Sequence, residues 1–308
     1  MSMSEEKVAV GRKLVWPRKP YIYTADISES IVGREKEMGM IAAAWMPTPW
    51  SRALSPLLVG PPGCGKNTMV YEMAKRMDVD LYVCQGYENI TAEELACSLL
   101  PSDEGNGKID FMISSLATAM LKGGICFIDE IGKFPGKALS LLASVLDDRR
   151  YLDLDLLGER IHAHPQFRFI AATNSEDLDG LPDFIRSRLF PCIAVDKPEK
   201  DMINTIIVHQ YPEQQKVMKQ LLNSFWGLWD EVAKDWDEPS PRDIIQIFSL
   251  AEKLARFGEQ TTSAVKDKKT SPGLQLPTEI GRENAAIRMD HIQQALHQFQ
   301  VMKEQMPC

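Results

Sequence analysis

The sequence predicts an α/β fold, a parallel sheet covered by helices and followed by a smaller helical domain. Three observations carry that expectation. Five short apolar runs, Pro56–Val59, Leu81–Cys84, Ile125–Ile128, Phe167–Ala172 and Cys192–Val195, alternate with helical patterns. The first run is followed at once by a Gly/Pro-rich turn that ends in a lysine and opens a helix. After about Pro198 the strand-like runs stop and only helical periodicity remains.

Each element follows from its local pattern. Short, wholly apolar runs suit strands buried on both faces of a sheet. Helical spacing is read over Lys66–Met77, Ile113–Leu121 and Ala138–Leu146, then over Met202–Gln210, Gln214–Trp229, Pro241–Phe257 and Met289–Glu304. Residues 258–282 are rich in Lys, Thr, Gly and Pro and are read as a loop. Residues 1–30 mix charge, proline and aromatics and are read as an arm packed on the body. The expected division is therefore an arm at 1–30, an α/β domain at 31–196 and a helical domain at 197–308.

Bulk composition narrows the function classes. The 308 residues suggest about two domains, and 44% hydrophobic with 25% charged residues is ordinary globular composition. A net charge of -8 gives no broad basic field, which disfavours sequence-independent binding to nucleic acid. The six cysteines include no C-x-x-C pair and are read as reduced thiols of a cytoplasmic protein. No apolar run approaches the roughly 20 residues that span a bilayer, so no membrane role is expected.

The turn Gly60-Pro61-Pro62-Gly63-Cys64-Gly65-Lys66 has the G-x-x-x-x-G-K spacing of a phosphate cradle. Glycines let backbone N–H groups curl around phosphate oxygens, the helix N-terminus adds partial positive charge, and Lys66 brings a full charge. ATP is the ligand this arrangement points to. The next residue in the pattern is Ser or Thr, whose hydroxyl binds Mg²⁺. Here it is Asn67, followed by Thr68 one helical step away. An amide carbonyl can also serve a hard cation, so a working Mg²⁺ site and a weakened one both stay open.

The run Ile125–Ile128 ends in Asp129-Glu130. Strand alternation points the two carboxylates different ways, Asp129 toward the Mg²⁺ and Glu130 toward the attacking water as general base. Asn174 closes the run Phe167–Ala172 and could align that water; Asn at a strand end is also a common turn former. Arg186 and Arg188 precede the last strand. Either could stabilise charge on a transferring phosphoryl group, with Arg188 preferred, and solvated arginines are the plain alternative. Arg242 sits in a helix first turn, where a cation opposes the helix dipole, which hints at a phosphate partner.

Other constellations favour structural readings. Trp226, Trp229 and Trp236 fit core packing of the helical domain. Gly86-Tyr87 fits a turn better than a substrate-gripping loop. His162 and His164 lack a ligand set.

Taken in order, these stretches resemble the AAA+ superfamily, and within it the MoxR-like and dynein/midasin-related branch that carries a helix-2 insert. Ile31-Val-Gly-Arg-Glu35, the phosphate turn, Gly123–Ile131, Ala143–Arg149, His162–Asn174 and Ser240-Pro-Arg242 carry the resemblance, over about residues 30–256. It implies a P-loop NTPase sheet of strand order 5-1-4-3-2 with a helical lid. It gives Asn174 the sensor-1 role, Arg188 the arginine finger, and Arg242 the sensor-2 role. It places Val32 and Gly33 at the adenine. It reads Leu99–Met112 and Tyr151–Pro165 as hairpins. It implies an ATP-hydrolysing chaperone that works as a homo-oligomeric ring, usually a hexamer, on a protein client or with a von Willebrand A domain partner. Two alternatives remain, a nucleotide-gated scaffold with weak hydrolysis, suggested by Asn67, and a motor associated with nucleic acid.

Overall fold

The computed structural model describes residues 6–23, 31–102, 107–234, 236, 238–266 and 286–305. Two compact units divide the chain, Met1–Asp196 and Lys197–Cys308, and each has its own apolar core.

The first unit opens with a hairpin of β1 (Val8–Val10) and β2 (Lys13–Val15), then α1 (Glu35–Trp45). There follow β3 (Leu57–Val59), α2 (Lys66–Met77), β4 (Leu81–Gln85) and α3 (Ala92–Ala96). A second hairpin, β5 (Cys97–Pro101) and β6 (Ile109–Ile113), leads to α4 (Ser115–Lys122), β7 (Ile125–Asp129) and α5 (Gly136–Leu146). A third, β8 (Tyr151–Leu154) and β9 (Glu159–His162), precedes β10 (Arg168–Thr173), α6 (Asp183–Arg186) and β11 (Cys192–Ala194).

Five of these strands form one sheet in the order β11-β3-β10-β7-β4, with every neighbouring pair parallel. That is the expected 5-1-4-3-2 order. Alternation along the strands sorts side chains to two covered faces. Ile125 and Phe127 of β7 join Ile170 and Ala172 of β10 against α1 and α2, through Met38, Ile41, Met69 and Val70. Cys126, Ile128, Phe169 and Ala171 face the other way, into a core with Leu116, Leu139 and Leu142 of α4 and α5. Each fully buried large apolar side chain contributes about 1.5–3 kcal/mol.

Local signals set the helix ends. Thr91 and Glu94 form a reciprocal capping box on α3. Ser114 caps α4 by accepting from Ala117 N, and Gly123 ends that helix in the left-handed conformation that glycine tolerates.

The helical pattern begun at Ile113 therefore starts later than read. Ile113 is the last residue of β6 and the cap falls on Ser114. The hairpins at Leu99–Met112 and Tyr151–Pro165 occur as β5–β6 and β8–β9, with Gly158 at φ 65 in the second turn.

The second unit contains α7 (Lys200–Gln210), α8 (Gln215–Val232), α9 (Pro241–Lys266) and α10 (Met289–Gln305). Phe225 is fully buried, meets Trp226 and Phe248 edge-on and lies tilted against Trp229, while Trp236 packs on Trp229 and Phe299. The tryptophans are core residues.

The loop read at 258–282 needs correction. α9 continues through Lys266, so residues 258–266 are helical. No proline interrupts that stretch, and the single Gly258 costs only about 1 kcal/mol in a helix. Residues 267–282 lie outside the described residues. Among the described residues no helix is long and apolar enough to cross a membrane.

Candidate nucleotide site

The parallel sheet presents the carboxyl ends of β3, β10 and β7 side by side, the usual place for ligands in such sheets. Each of those ends delivers one of the polar residues singled out above. β3 runs into the Gly60–Lys66 turn, β10 ends next to Asn174, and β7 ends in Asp129.

The turn has the backbone such a cradle needs. Gly63 and Gly65 have φ of 76 and 97, where side chains are strained. Gly60 is required for another reason, since a Cβ there would lie 2.1 Å from the Val195 carbonyl oxygen at the end of β11. Pro61, Gly63 and Gly65 are half-buried, Pro62 is exposed and Cys64 is buried.

Lys66 is 7% exposed. Its ammonium donates to Gly60 O at 2.6 Å, Pro61 O at 3.0 Å and Asn174 Oδ1 at 3.1 Å. A buried ammonium costs dearly unless its donors are met, and these contacts hold it at the mouth of the turn. Asn174 also donates from Nδ2 to Asp177 at 3.5 Å. The residue before it, Thr173, is fully buried.

Asn67 and Asp129 meet directly, Asn67 Nδ2 donating to Asp129 Oδ2 at 2.6 Å. With its nitrogen so engaged, the amide has Oδ1 as its acceptor atom. Asp129 Oδ1 accepts the Glu130 backbone N–H at 3.0 Å, and each carboxylate oxygen retains a second lone pair. Two such oxygen ligands suit Mg²⁺, which takes one or two protein groups and fills its shell with phosphate and water. Asn67 and Asp129 would hold that ion. Thr68 is half-buried.

Glu130 is not turned by strand alternation. β7 ends at Asp129, and Glu130 adopts φ 54 in the left-handed region. The divergence of the two carboxylates therefore comes from this backbone turn. Gly86 accommodates it, donating its N–H to Asp129 O at 2.7 Å, while a Cβ there would lie 2.1 Å from Glu130 O. The turn read at Gly86-Tyr87 thus has a specific job. Glu130 Oε2 accepts from Gln85 Nε2 at 2.9 Å and pairs with Lys133 at 3.0 Å. The pairing with Glu130 raises the Lys133 ammonium above its usual range.

Gln85, Lys133 and Arg34 escaped the sequence reading as site residues. The polar end of β4 beside an Asp-Glu strand was the available signal for Gln85. Arg34, 8% exposed, follows Gly33, which has φ 72. Its guanidinium donates to Cys64 O at 3.1 Å and Asp196 O at 2.5 Å and pairs with Glu37 at 2.9 Å. It ties the segment holding Val32 and Gly33 to the phosphate turn. Nothing in a linear pattern shows those carbonyl partners.

Tyr71 lies one helical turn after Asn67 on α2. Burial pushes its phenol above the usual range, with the neighbouring Tyr21 and the charge of Asp129 adding to that.

The two candidate finger arginines are not part of this cluster. Arg186 donates to Leu181 O at 2.9 Å and pairs loosely with Asp179 at 3.5 Å. Arg188 donates to Phe184 O and lies 3.8 Å from Asp147. It lines a cleft of about 1040 Å³ with Arg52, Asp147, Arg149, Arg150 and Phe190. Arg242 is exposed in the first turn of α9, in the second unit.

Residues 55–189 match the family described as AAA domain (dynein-related subfamily). The denitrification regulatory protein NirQ of Pseudomonas aeruginosa is 32% identical over 162 residues, 52% of this chain and 61% of NirQ. Protein CbbQ of Hydrogenophilus thermoluteolus is 29% identical over 168 residues, 54% of this chain and 62% of CbbQ. Protein NorQ of Paracoccus denitrificans is 34% identical over 146 residues, 46% of this chain and 53% of NorQ. The chain thus spans less than two thirds of each of these relatives. Thermotoga maritima RuvB is similar in structure, with a TM-score of 0.50 at 17% identity over 85% of this chain and 67% of that one. That likeness is one of fold.

Proposed function

We propose that this chain, whose residues 55–189 match the AAA domain (dynein-related subfamily), binds ATP with Mg²⁺ and hydrolyses it as a MoxR-like AAA+ motor. The observation that carries this reading is the convergence of Lys66, Asn174, Asn67 and Asp129 at three adjacent strand ends, joined by contacts of 3.1 and 2.6 Å.

In this reading the Gly60–Lys66 turn wraps the phosphates with backbone N–H groups, and Lys66 exchanges its carbonyl partners for phosphate oxygens. The Mg²⁺ held by Asn67 and Asp129 would neutralise charge on the transferring phosphoryl group. Glu130 takes the proton of the attacking water as general base. Asn174 keeps Lys66 aligned through its Oδ1. Arg188, outside this cluster, serves a nucleotide held by a neighbouring copy. A ring of copies, a hexamer in the reading adopted here, supplies that neighbour. A protein client or a von Willebrand A domain partner receives the work, and Arg242 of the helical unit acts as sensor 2. The setting is cytoplasmic.

The test is steady-state phosphate release by the unaltered chain and by Glu130→Gln, with nucleotide binding measured alongside. Glu130→Gln is expected to bind ATP normally and to lose turnover by a factor on the order of 10²–10⁴. Equal turnover in both proteins would sink the mechanism.

A second reading, a nucleotide-gated scaffold, has one observation in its favour: Glu130 is held by both Gln85 and Lys133. Tight ATP binding with no turnover, unaffected by Gln85→Ala or Lys133→Ala, would favour it.

A further inference from the structure

Glu130 begins a short turn whose residues are held on two sides. Glu130 itself leaves the end of β7 with φ 54. Ile131 is fully buried in the same core as Leu116, Leu139 and Leu142. Lys133 N donates back to Glu130 O at 3.0 Å and Phe134 N to Ile131 O at 3.1 Å, which closes one 3₁₀ turn over Ile131–Lys133. Gly132 lies flush against the segment that follows β10. A Cβ there would be 2.6 Å from Thr173 Oγ1 and 2.7 Å from Asp177 O. That segment carries Asn174, whose Oδ1 accepts from Lys66 at 3.1 Å. Lys133 therefore leaves the backbone at a point set by the core on one side and by the Asn174 segment on the other.

From that point its ammonium reaches Glu130 Oε2 at 3.0 Å. Gln85 Nε2, at the end of β4, donates to the same oxygen at 2.9 Å. Two groups from two different elements thus converge on Oε2. Among the described residues no hydrogen bond is made to Oε1.

Plain surface pairing does not account for this arrangement. The Lys133 side chain is 40% exposed, and an ion pair so open to water adds little stability. Orientation is a separate matter. A glutamate side chain has three torsions, and the last of them is broad. A general base must bring one oxygen within hydrogen-bond reach of one water. With Oε2 engaged from two directions, the carboxylate plane is set and Oε1 is the oxygen left to accept. Holding Glu130 in this way prepares it for proton transfer.

We propose that Lys133 is a positioning residue for ATP hydrolysis: its ion pair to Oε2 turns the Glu130 carboxylate so that Oε1 receives the proton of the attacking water. The inference rests on the hydrolysis reading above and names the atom that carries out its proton transfer. In that step a water O–H proton passes to Oε1 and the water oxygen bonds to the γ-phosphorus. The bond from that phosphorus to the β–γ bridging oxygen breaks, and its electron pair leaves with ADP. Oε1 then gives the proton up to solvent. Lys133 touches none of the reacting atoms. Because Gly132 seats the turn on the Asn174 segment, the packing that places Asn174 at Lys66 also places Lys133 at Glu130.

The test uses the full chain. Phosphate release gives kcat and KM, single-turnover hydrolysis covers the slow variants, and a methylanthraniloyl-ATP probe in EDTA reports nucleotide binding by fluorescence. Lys133→Met keeps the length of the side chain and removes its charge. It is expected to lower kcat roughly ten-fold, a part of the whole general-base effect. KM and probe affinity are expected to stay unchanged, because only the transition state loses support. Lys133→Arg restores the charge and is expected to recover most of kcat. In a Glu130→Gln background, Lys133→Met is expected to cost nothing further, since the base that it orients is gone. Unchanged kcat in Lys133→Met overturns the proposal. So does a raised kcat, which would make the ion pair a brake on Glu130. A Lys133→Arg variant as slow as Lys133→Met, an equal loss in the Glu130→Gln background, or probe affinity lost along with kcat also overturns it, and makes Lys133 a general support of the turn. Equal turnover by the unaltered chain and Glu130→Gln overturns the hydrolysis reading, and this inference with it.

Discussion

Asn67 Nδ2 donates to Asp129 Oδ2 at 2.6 Å, joining the first turn of α2 to the end of β7. The two residues are 62 positions apart, and β10 lies in the sheet between β7 and β3, the strand that leads into α2. The bond settles which end of the amide faces the carboxylate. In the proposed reading the amide oxygen of Asn67 takes the place of the hydroxyl at that position. Hydrogen bonds to charged groups contribute about 1.5–3 kcal/mol, less where water reaches them.

Asn67→Thr should tighten Mg²⁺ binding, because a rigid hydroxyl replaces an amide that must be oriented. The expected result is a Mg²⁺ midpoint lowered several-fold in nucleotide-binding titrations, with turnover raised in step. Asn67→Ala should move the midpoint the other way. A Thr variant that binds Mg²⁺ more weakly than the unaltered chain would show that the amide is the better ligand here.

Gly86→Ala places a Cβ 2.1 Å from Glu130 O and 2.9 Å from Asp129 O, both backbone atoms that have little room to give. The left-handed turn at Glu130 must then shift. Expected is a large loss of turnover, with probe binding in EDTA retained because the Gly60–Lys66 turn is untouched. Normal turnover in Gly86→Ala would mean that the position of Glu130 is not critical.

Asp110 anchors the arm, and its carboxyl is held below the usual range first by the hydrogen bond from Lys7 and then by that from Trp16. A carboxyl whose folded value is depressed stabilises the fold above its unfolded value, about 3.9. It loses that contribution as pH falls through the folded value. The arm should therefore stay attached from neutral pH down to the ordinary Asp range and release below it. The indole N–H of Trp16, followed by NMR through an acid titration, reports this directly. Asp110→Asn should remove the acid transition, and Lys7→Ala should move it upward.

Phe225 is fully buried at the centre of the ring cluster in the second unit. Phe225→Ala should destabilise that unit by about 3–5 kcal/mol. The check is urea denaturation of the full chain followed by tryptophan fluorescence, where Trp226 and Trp229 report locally. A shift under about 1 kcal/mol would imply that the cluster collapses around the missing ring, as smaller core changes do.

Much of the fold was legible because its signals are local. Largely apolar runs of four to six residues suit buried strands, and Gly60–Lys66 after the first of them placed a phosphate-type turn between strand and helix. Asp129, Lys66 and Asn174 were legible for the same reason: each closes such a run or turn. Boundaries were less so. Ile113 reads as helix by periodicity, yet β6 claims it, placing it opposite Cys97 of β5 with its N–H donated to Trp16 O. Gly258 reads as a stop, yet α9 runs through it.

The sequence by itself determined which chemical groups stand at the strand ends, since residue type and spacing along one strand are properties of the chain. Only the tertiary structure decided which of those groups meet. Parallel pairing brings Asn174 of one strand end to Lys66 of another, and a left-handed backbone at Glu130 takes its carboxylate to Gln85 and Lys133. Tyr21 and Tyr23 reach Tyr71 across about fifty residues of chain by way of an edge-strand hydrogen bond. Contacts of that kind depend on how separate elements pack, and packing energy is shared among many side chains at once. No single stretch of sequence encodes them.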